Sequence, residues 1–165
     1  SRGSDRNGGL GTGSRLMATK LIKGGRLITA SETFDADLLI EGERIAQIGQ
    51  DLDARDAEVV DARGMLITPG GVDPHTHFDL PMSGTVSSDD HYTGTKAAAF
   101  GGTTTVIDFV SFDFPTMRES LEAWQRKAEK SAVDIACHMN LTRFDARVAA
   151  ELPRARGRCA PVAGF

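Results

Sequence analysis

Short apolar runs separated by turn residues fill the front of the chain up to residue 69. The run from Leu21 to Ile28 predicts a strand, and Gly24-Gly25 within it marks a turn or bulge. A second strand is predicted at Ala36–Ile40, and further apolar runs follow: Ile45 and Ile48 after a turn at Glu41–Arg44, then a strand pair around a turn within Val59–Ile67. Short strands with tight connections predict that residues 17–69 form part of a β-sandwich.

The pattern changes at Pro69-Gly70-Gly71, beyond which strand-like and helix-like runs alternate. Predicted strands are Gly71–His77, Thr103–Val110 and Val133–Asn140, and predicted helices are Asp89–Phe100, Thr116–Lys130 and Asp145–Leu152. Alternation at about 30 residues per unit indicates βαβ units on a parallel sheet, so the fold class is α/β.

The helix predicted from Thr116 has the clearest signals of the chain. Thr116 and Glu119 have the spacing of a capping box, and Met117, Leu121 and Trp124 recur at helical intervals. This stripe predicts an outer helix packed on the sheet.

Composition describes an ordinary acidic globular chain. Its 165 residues are 40% hydrophobic, and 19 Lys and Arg against 23 Asp and Glu give a net charge of −4. The negative balance without a basic run argues against nucleic acid as the partner. No apolar stretch approaches a membrane span and no secretory signal is recognisable, so we expect a cytoplasmic protein with no membrane partner.

Two features of the chain carry no chemistry of their own. Residues 1–16 are rich in Gly, Ser and Arg and predict a flexible tail ahead of Met17. Cys137 and Cys159 follow no metal or redox spacing, and we expect both to be free thiols.

His75-Thr76-His77 is the motif that points to chemistry. Residues two apart on a strand face the same side, so both imidazoles could bind one metal ion. Pro74 just before them indicates a strand end, and ligands of parallel α/β proteins bind at carboxyl ends of strands. Asp73 would share their face on a regular strand and orient an imidazole, although a turn role before Pro74 is an equal alternative.

The two other histidines have no matching partner in the sequence. We interpret His91, at a predicted helix start, as a surface or cap residue. His138, on a predicted strand, is interpreted as a satisfied interior histidine.

A long motif around the histidine pair resembles the cyclic amidohydrolases, in particular the dihydropyrimidinase and hydantoinase branch. The likeness runs from about Met17 to about Pro153. It is carried by Pro69-Gly70-Gly71-Val72-Asp73-Pro74-His75-Thr76-His77-Phe78-Asp79-Leu80-Pro81-Met82, then Gly84-Thr85-Val86, Asp89-Asp90 and Gly101 to Phe109.

The resemblance implies a fold and a metal centre. The fold is a metal-dependent (β/α)8 TIM-type barrel, of which this chain would hold about three units, with a β-sandwich built from both chain ends. His75 and His77 would bind one of two divalent ions, usually zinc. A carboxylated lysine, two further histidines and an aspartate would complete the centre, which hydrolyses a cyclic amide with metal-activated water.

The residues after the pair bear on the substrate. Dihydroorotases and allantoinases resemble each other in having an arginine where this chain has Asp79, so we expect a small uncharged ring such as a dihydropyrimidine or hydantoin. Leu80 and Met82 match a substrate-gating loop and would line the pocket for a ring substituent. Ordinary burial within the loop is an equal interpretation of both.

The end of the chain departs from the resemblance. No lysine follows Lys130, and the segment after residue 153 lacks the expected Phe-Lys strand. We therefore expect residues 70–165 to be a partial barrel, atypical after 153, from a truncated or frameshifted longer protein. With the catalytic lysine and aspartate missing, the 165-residue chain alone is expected to be inactive.

Two other function classes are open. One is a non-catalytic relative that serves as an assembly or signalling module, against which the retained histidine pair argues. The other is a different cyclic amidohydrolase, such as an allantoinase or dihydroorotase. Full-length relatives are expected to form homotetramers.

Overall fold

A computed structural model describes residues 19–53 and 56–155 of the chain, which is a mixed α/β protein. Two compact units meet in sequence at Pro69 and Gly70, where the hydrophobic pattern changes. The predicted tail at residues 1–16 and the thiol of Cys159 lie outside the described residues, as does the part of the atypical segment after residue 153 that lies beyond residue 155.

The first unit is a single sheet built around one long strand. Its strands are β1 (Thr19–Ile28), β2 (Thr33–Glu41), β3 (Arg44–Gly49), β4 (Glu58–Asp61) and β5 (Leu66–Ile67). β1, β2 and β3 are consecutive antiparallel neighbours, whereas β4 and β5 both run parallel to β1 along its other edge.

The strand pair predicted at Val59–Ile67 is present but its members do not pair with each other. The backbone N–H of Ala62 donates to the carbonyl of Lys23, and that of Met65 donates to Ala62. With these bonds the chain makes a short turn between β4 and β5 without the reversal of direction that a hairpin has. The chain therefore keeps its direction, and both short strands extend the edge of β1.

A bulge in β1 occupies the Gly24-Gly25 position, as predicted. Pairing with β2 shifts register between Ile22 and Gly25, and Gly24 adopts a φ of +74° that favours glycine. The N–H of Gly24 donates to the carboxylate of Asp37 at 2.8 Å. On one face of this sheet Leu27, Ala36 and Leu38 form a small core.

The second unit confirms the predicted alternation of parallel strands and helices. In chain order its elements are β6 (Gly71–Thr76), β7 (Pro81–Met82), β8 (Thr85–Val86), α1 (His91–Phe100), β9 (Thr103–Ser111), α2 (Met117–Ala128), β10 (Asp134–Asn140) and α3 (Ala146–Ala155). β9 lies between β6 and β10, and both pairings are parallel. β7 and β8 form a separate two-stranded hairpin.

The two faces of β9 have different surroundings. Val106, Asp108 and Val110 are buried where α1 and α2 pack on the strand. Phe109, on the opposite face, is only half-buried. Alternation along one strand therefore separates a helix-covered face from an open face.

The ends of α2 and α3 show how sequence sets the helix boundaries. Thr116 and Glu119 form the predicted capping box at the start of α2, with each side chain bonded to the backbone of the other. α3 begins after Asp145, which accepts from two backbone N–H groups, and continues past Pro153 to Ala155. Among the helices of residues 19–53 and 56–155, none has the length and apolar character that crossing a membrane requires.

Candidate metal and substrate site

The end of β6 carries an irregularity directly before the histidine pair. Asp73 pairs with Val106 and Thr76 with Asp108, so β6 has one more residue than β9 between these pairs. Pro74 lies within this bulge, where its missing N–H costs no ladder bond. The bulge breaks simple alternation between Asp73 and His75, and the carboxylate of Asp73 accepts the backbone N–H of His75 at 3.1 Å.

His75 and His77 point their rings at the same spot. Their Nε2 atoms lie 3.2 Å apart and both side chains are exposed. Two nitrogens bound to one zinc ion at about 2.0–2.1 Å and a near-tetrahedral angle are separated by about 3.3 Å. The donor pair therefore fits a divalent ion. Within residues 19–53 and 56–155 no group of three or more His, Cys, Asp or Glu side chains could complete a metal site.

A phenyl ring forms the floor beneath the pair. The ring centroid of Phe109 lies 4.6 Å from that of His75 and 5.1 Å from that of His77. His138, opposite Phe109 on β10, contacts the same ring in a tilted arrangement with centroids 5.1 Å apart and is half-buried. Three imidazoles thus share the open face of the sheet, although only two of them converge.

The prediction that His91 is a surface or cap residue is wrong. Its side chain is 1% exposed, and the residue that caps α1 is the preceding Asp90. The Nδ1 atom of His91 faces the Asp79 carboxylate at 3.3 Å, and its Nε2 faces the Asp108 carboxylate at 3.1 Å. The ring thus lies between two carboxylates, and each carboxylate can accept a hydrogen bond from the ring nitrogen that faces it when that nitrogen carries a proton.

Asp108 is the functional candidate that sequence analysis missed. It is 1% exposed and accepts the indole N–H of Trp124 at 2.8 Å and the backbone N–H of Phe78 at 3.3 Å, besides facing His91. A signal was available, because Asp108 is a charged residue in the middle of an apolar strand. A buried charge in such a strand requires partners.

The capping carboxylate of Asp90 holds the start of α1. Asp90 accepts backbone N–H bonds from Thr93 at 2.7 Å and from Tyr92 at 3.0 Å. These bonds, that from Thr93 foremost, lower the pKa of Asp90 below its usual value. Helix α1 therefore begins at a fixed point and presents His91 in its first turn.

A hairpin loop follows the pair and carries both predicted substrate contacts. Its turn at Ser83 and Gly84 has positive φ at both positions, the conformation of a tight two-residue hairpin. Leu80 is half-buried and lines a cleft of about 310 Å³, whereas Met82 is exposed and is not among the residues lining this cleft. Other lining residues include Phe78, Phe109, Phe114, Trp124 and Lys127.

Helix α1 approaches the loop closely at a glycine. A Cβ atom on Gly94 would overlap the ring of Phe78. Phe78 directly follows His77, so this close approach packs the segment after the pair against the helix. The ring centroid of Phe78 lies 5.5 Å from that of His91.

Comparisons with known proteins show which proteins have a similar sequence in the region of this site. Residues 66–147 match the model of the amidohydrolase family, and this range contains the pair, the hairpin and the Asp108 network. The chain is 47% identical over 138 residues to the D-hydantoinase of Geobacillus stearothermophilus, covering 82% of this chain and 29% of that protein. It is 41% identical over 140 residues to the dihydropyrimidinase of Dictyostelium discoideum, covering 81% and 27%.

Solved structures agree with the sequence matches. A crystal structure of D-hydantoinase superposes with a TM-score of 0.82 at 44% identity, over 87% of this chain and 32% of that chain. Dihydropyrimidinase from Brevibacillus agri gives 0.78 at 46% identity, over 81% and 30%. The chain thus spans under a third of the length of these relatives. Because fold, sequence and the region of the imidazole pair all match, the chain belongs to the amidohydrolase family.

Proposed function

We propose that this chain is part of a metal-dependent hydrolase that opens cyclic amides of the dihydropyrimidine or hydantoin type. The observation that carries the proposal is the 3.2 Å separation of the His75 and His77 Nε2 atoms at the carboxyl end of a parallel strand. Ligands of parallel α/β folds bind at that end. Similarity to proteins named D-hydantoinase and dihydropyrimidinase supports the same reaction class.

The whole fold is proposed to be a TIM-type barrel joined to a β-sandwich. Three parallel strands with intervening helices support about three of the eight barrel units. The five-stranded unit ahead of Gly70 supports the sandwich portion. On this proposal, the remaining barrel units would correspond to the part of the relatives that this chain does not span.

His75 and His77 would hold one divalent ion, proposed to be zinc, of a two-metal centre. When bound, such an ion polarises the ring carbonyl and activates water for attack on it. The ring of Phe109 contacts both imidazoles. The backbone N–H of His75 donates to the side-chain carboxylate of Asp73, which fixes the backbone of the first proposed ligand. The second ion would require ligands beyond the residues described.

The residue two positions beyond His77, Asp79, favours a substrate ring without negative charge. Asp79 presents a carboxylate that faces His91, so this position supplies no cation for a substrate carboxylate. Leu80, at the cleft, is proposed to contact a ring substituent. Met82 is exposed on the hairpin and does not line the cleft, so the structure supports a substrate contact for Leu80 alone of the two.

A direct test measures metal binding by the chain itself. Isothermal titration with Zn²⁺ is expected to show a site in the wild type that the double variant His75→Ala, His77→Ala lacks. His138→Ala is the matched control, because His138 lies on the same face without converging on the pair. Equal zinc binding by the double variant and the wild type would contradict the proposal.

A chimera tests the reaction. Residues 66–147 replace the matching segment of the Geobacillus D-hydantoinase, and ring opening is assayed on hydantoin, dihydrouracil and dihydroorotate. Activity on the two uncharged rings that vanishes with His75→Ala is expected. A chimera that folds and binds zinc yet opens none of the three rings would favour a non-catalytic role.

A cytoplasmic location and a homotetramer stay predictions. Light scattering would measure the oligomeric state.

A further inference from the structure

Beneath the imidazole pair, on the helix-covered side of the sheet, one carboxylate joins three separate elements. Asp108 of β9 accepts from Trp124 of α2 at 2.8 Å and from the backbone N–H of Phe78 at 3.3 Å. Its Oδ2 also faces Nε2 of His91, in α1, at 3.1 Å. Phe78 directly follows His77, so the carboxylate holds the backbone one residue from the pair.

His91 extends the same network to the base of the hairpin. Its second ring nitrogen faces the carboxylate of Asp79 at 3.3 Å. Asp79 has a φ of +48°, a left-handed conformation that is costly for a residue other than glycine and so needs outside support. Its backbone N–H donates to the carbonyl of Asp89 at 3.0 Å, which closes the hairpin at its base.

The two central groups of this network are buried. Asp108 and His91 are each 1% exposed, so water does not replace the contact between them, whereas the bonds from Phe78 and Trp124 are part-buried. A buried charge that loses a donor is left with part of its own desolvation cost uncompensated. The segment from His77 to Asp79 therefore has one favoured path, although it lies beyond the last strand pair at Thr76.

We propose that Asp108 and His91 are positioning residues that fix the segment after His77 and so keep the Nε2 atom of His77 3.2 Å from that of His75. Neither side chain touches the spot on which the two rings converge, which lies on the opposite face of the sheet. They act through the backbone of Phe78 and through Asp79. The consequence for metal affinity rests on the proposed function, whereas the consequence for backbone order does not.

The first test measures backbone order without metal. Amide hydrogen exchange is followed by NMR in the full 165-residue chain. Asp108→Asn is expected to speed exchange of the Phe78 amide at least about tenfold, because the amide side chain carries no charge and has one acceptor oxygen in place of two. Asp37→Asn, which changes a buried carboxylate of the first unit, should speed exchange at Gly24 and Leu52 and leave Phe78 unchanged.

The second test measures the metal site with Co²⁺, whose visible absorption reports ligand geometry. Asp108→Asn is expected to weaken Co²⁺ binding about 10-fold or more, the scale known for groups that orient metal ligands. Asp37→Asn should bind as the wild type does even if its stability falls. A loss that followed stability alone would weaken binding in both variants and would overturn the positioning role.

The outcomes separate this inference from the proposed function. If the wild type binds no Co²⁺ while Asp108→Asn still frees the Phe78 amide, the metal proposal fails and the positioning role stands. If Asp108→Asn leaves Phe78 exchange unchanged, the positioning role is wrong. Should Asp108→Asn not fold, Trp124→Phe removes the indole hydrogen bond and part of the ring volume while it keeps the Asp108 carboxylate, and Phe78 exchange should then rise about threefold or more.

Discussion

Asp37 in the first unit and Asp108 in the second are both buried carboxylates, but their donors differ in kind. Asp37 accepts backbone N–H bonds from Gly24 at 2.8 Å and Leu52 at 3.1 Å, and Lys23 lies 3.6 Å away. All three belong to the bulge and loop that surround it. Asp108 instead accepts from Trp124 of α2 and from the residue after a candidate metal ligand, and it also faces His91 of α1.

This difference shows that burial of a charge does not by itself mark a functional site. The donors of Asp37 are local backbone groups, and losing them would disturb only a turn and a bulge. The donors of Asp108 come from elements that meet only in the folded unit, and one of them adjoins His77. The origin of the donors therefore distinguishes a carboxylate that closes a loop from one that aligns a site.

The largest expected effect is that of Asp108→Ala. It leaves the buried His91 and the half-buried Trp124 without their carboxylate partner, and unsatisfied buried polar groups cost about 1–3 kcal/mol each, or about 3–5 kcal/mol of unfolding free energy in total. Urea unfolding followed by circular dichroism measures it. A cost below about 1 kcal/mol would erase the distinction between the two carboxylates.

Asp37→Ala should cost less, about 1–2 kcal/mol, by the same measurement. The two N–H groups that it leaves are only partly buried, so water can replace part of the lost bonding. Zinc binding by the pair should not change, since Asp37 belongs to the other unit. A stability loss equal to that of Asp108→Ala would contradict the comparison.

Thr116→Ala should destabilise α2 by about 1 kcal/mol through loss of its N-cap. Thr116→Ser keeps the hydroxyl and is the control, expected within a few tenths of the wild type. Because α2 carries Trp124, this pair of variants shows how far helix stability alone affects the Asp108 network. Exchange of the Phe78 amide should stay within about twofold of the wild type.

The smallest effect concerns pH. The N–H of Gly24 above all, then that of Leu52 and the charge of Lys23, lower the pKa of Asp37 in the folded chain. Its stabilising contribution is complete above the ordinary value of about 3.9 and is lost as the pH falls toward the folded pKa. Thermal melts of Asp37→Asn should thus fall less steeply below about pH 4 than those of the wild type. Parallel curves for the two proteins would refute this account.

Local signals in the sequence predicted the helices and strands well. They did not predict contacts between residues that are far apart in the sequence. The capping box of α2 and the bulge at Gly24 involve residues close in sequence, so pattern alone located both. The parallel attachment of β4 and β5 to β1 joins distant segments and has no local signature. His91 was misjudged for the same reason, because its partners lie 12 and 17 residues away.

The candidate site divides in the same way. The pairing of His75 with His77 follows from two-residue spacing and needs no knowledge of the rest of the chain. The path of the backbone beyond them depends on Asp108, which reaches the site from another strand. The bulge at Pro74, which removes Asp73 from simple alternation with the pair, likewise arises only when β6 pairs with β9.

Gly94 sets a limit on how this protein could be engineered. Replacing a glycine inside a helix by alanine ordinarily gains about 1 kcal/mol of helix propensity, so a design aimed at thermal stability would choose this substitution. Here the added methyl group would collide with Phe78. Because Phe78 is bonded directly to His77, a displaced Phe78 would also displace His77. The gain in helix propensity would therefore be accompanied by a disturbed geometry of the proposed metal ligand.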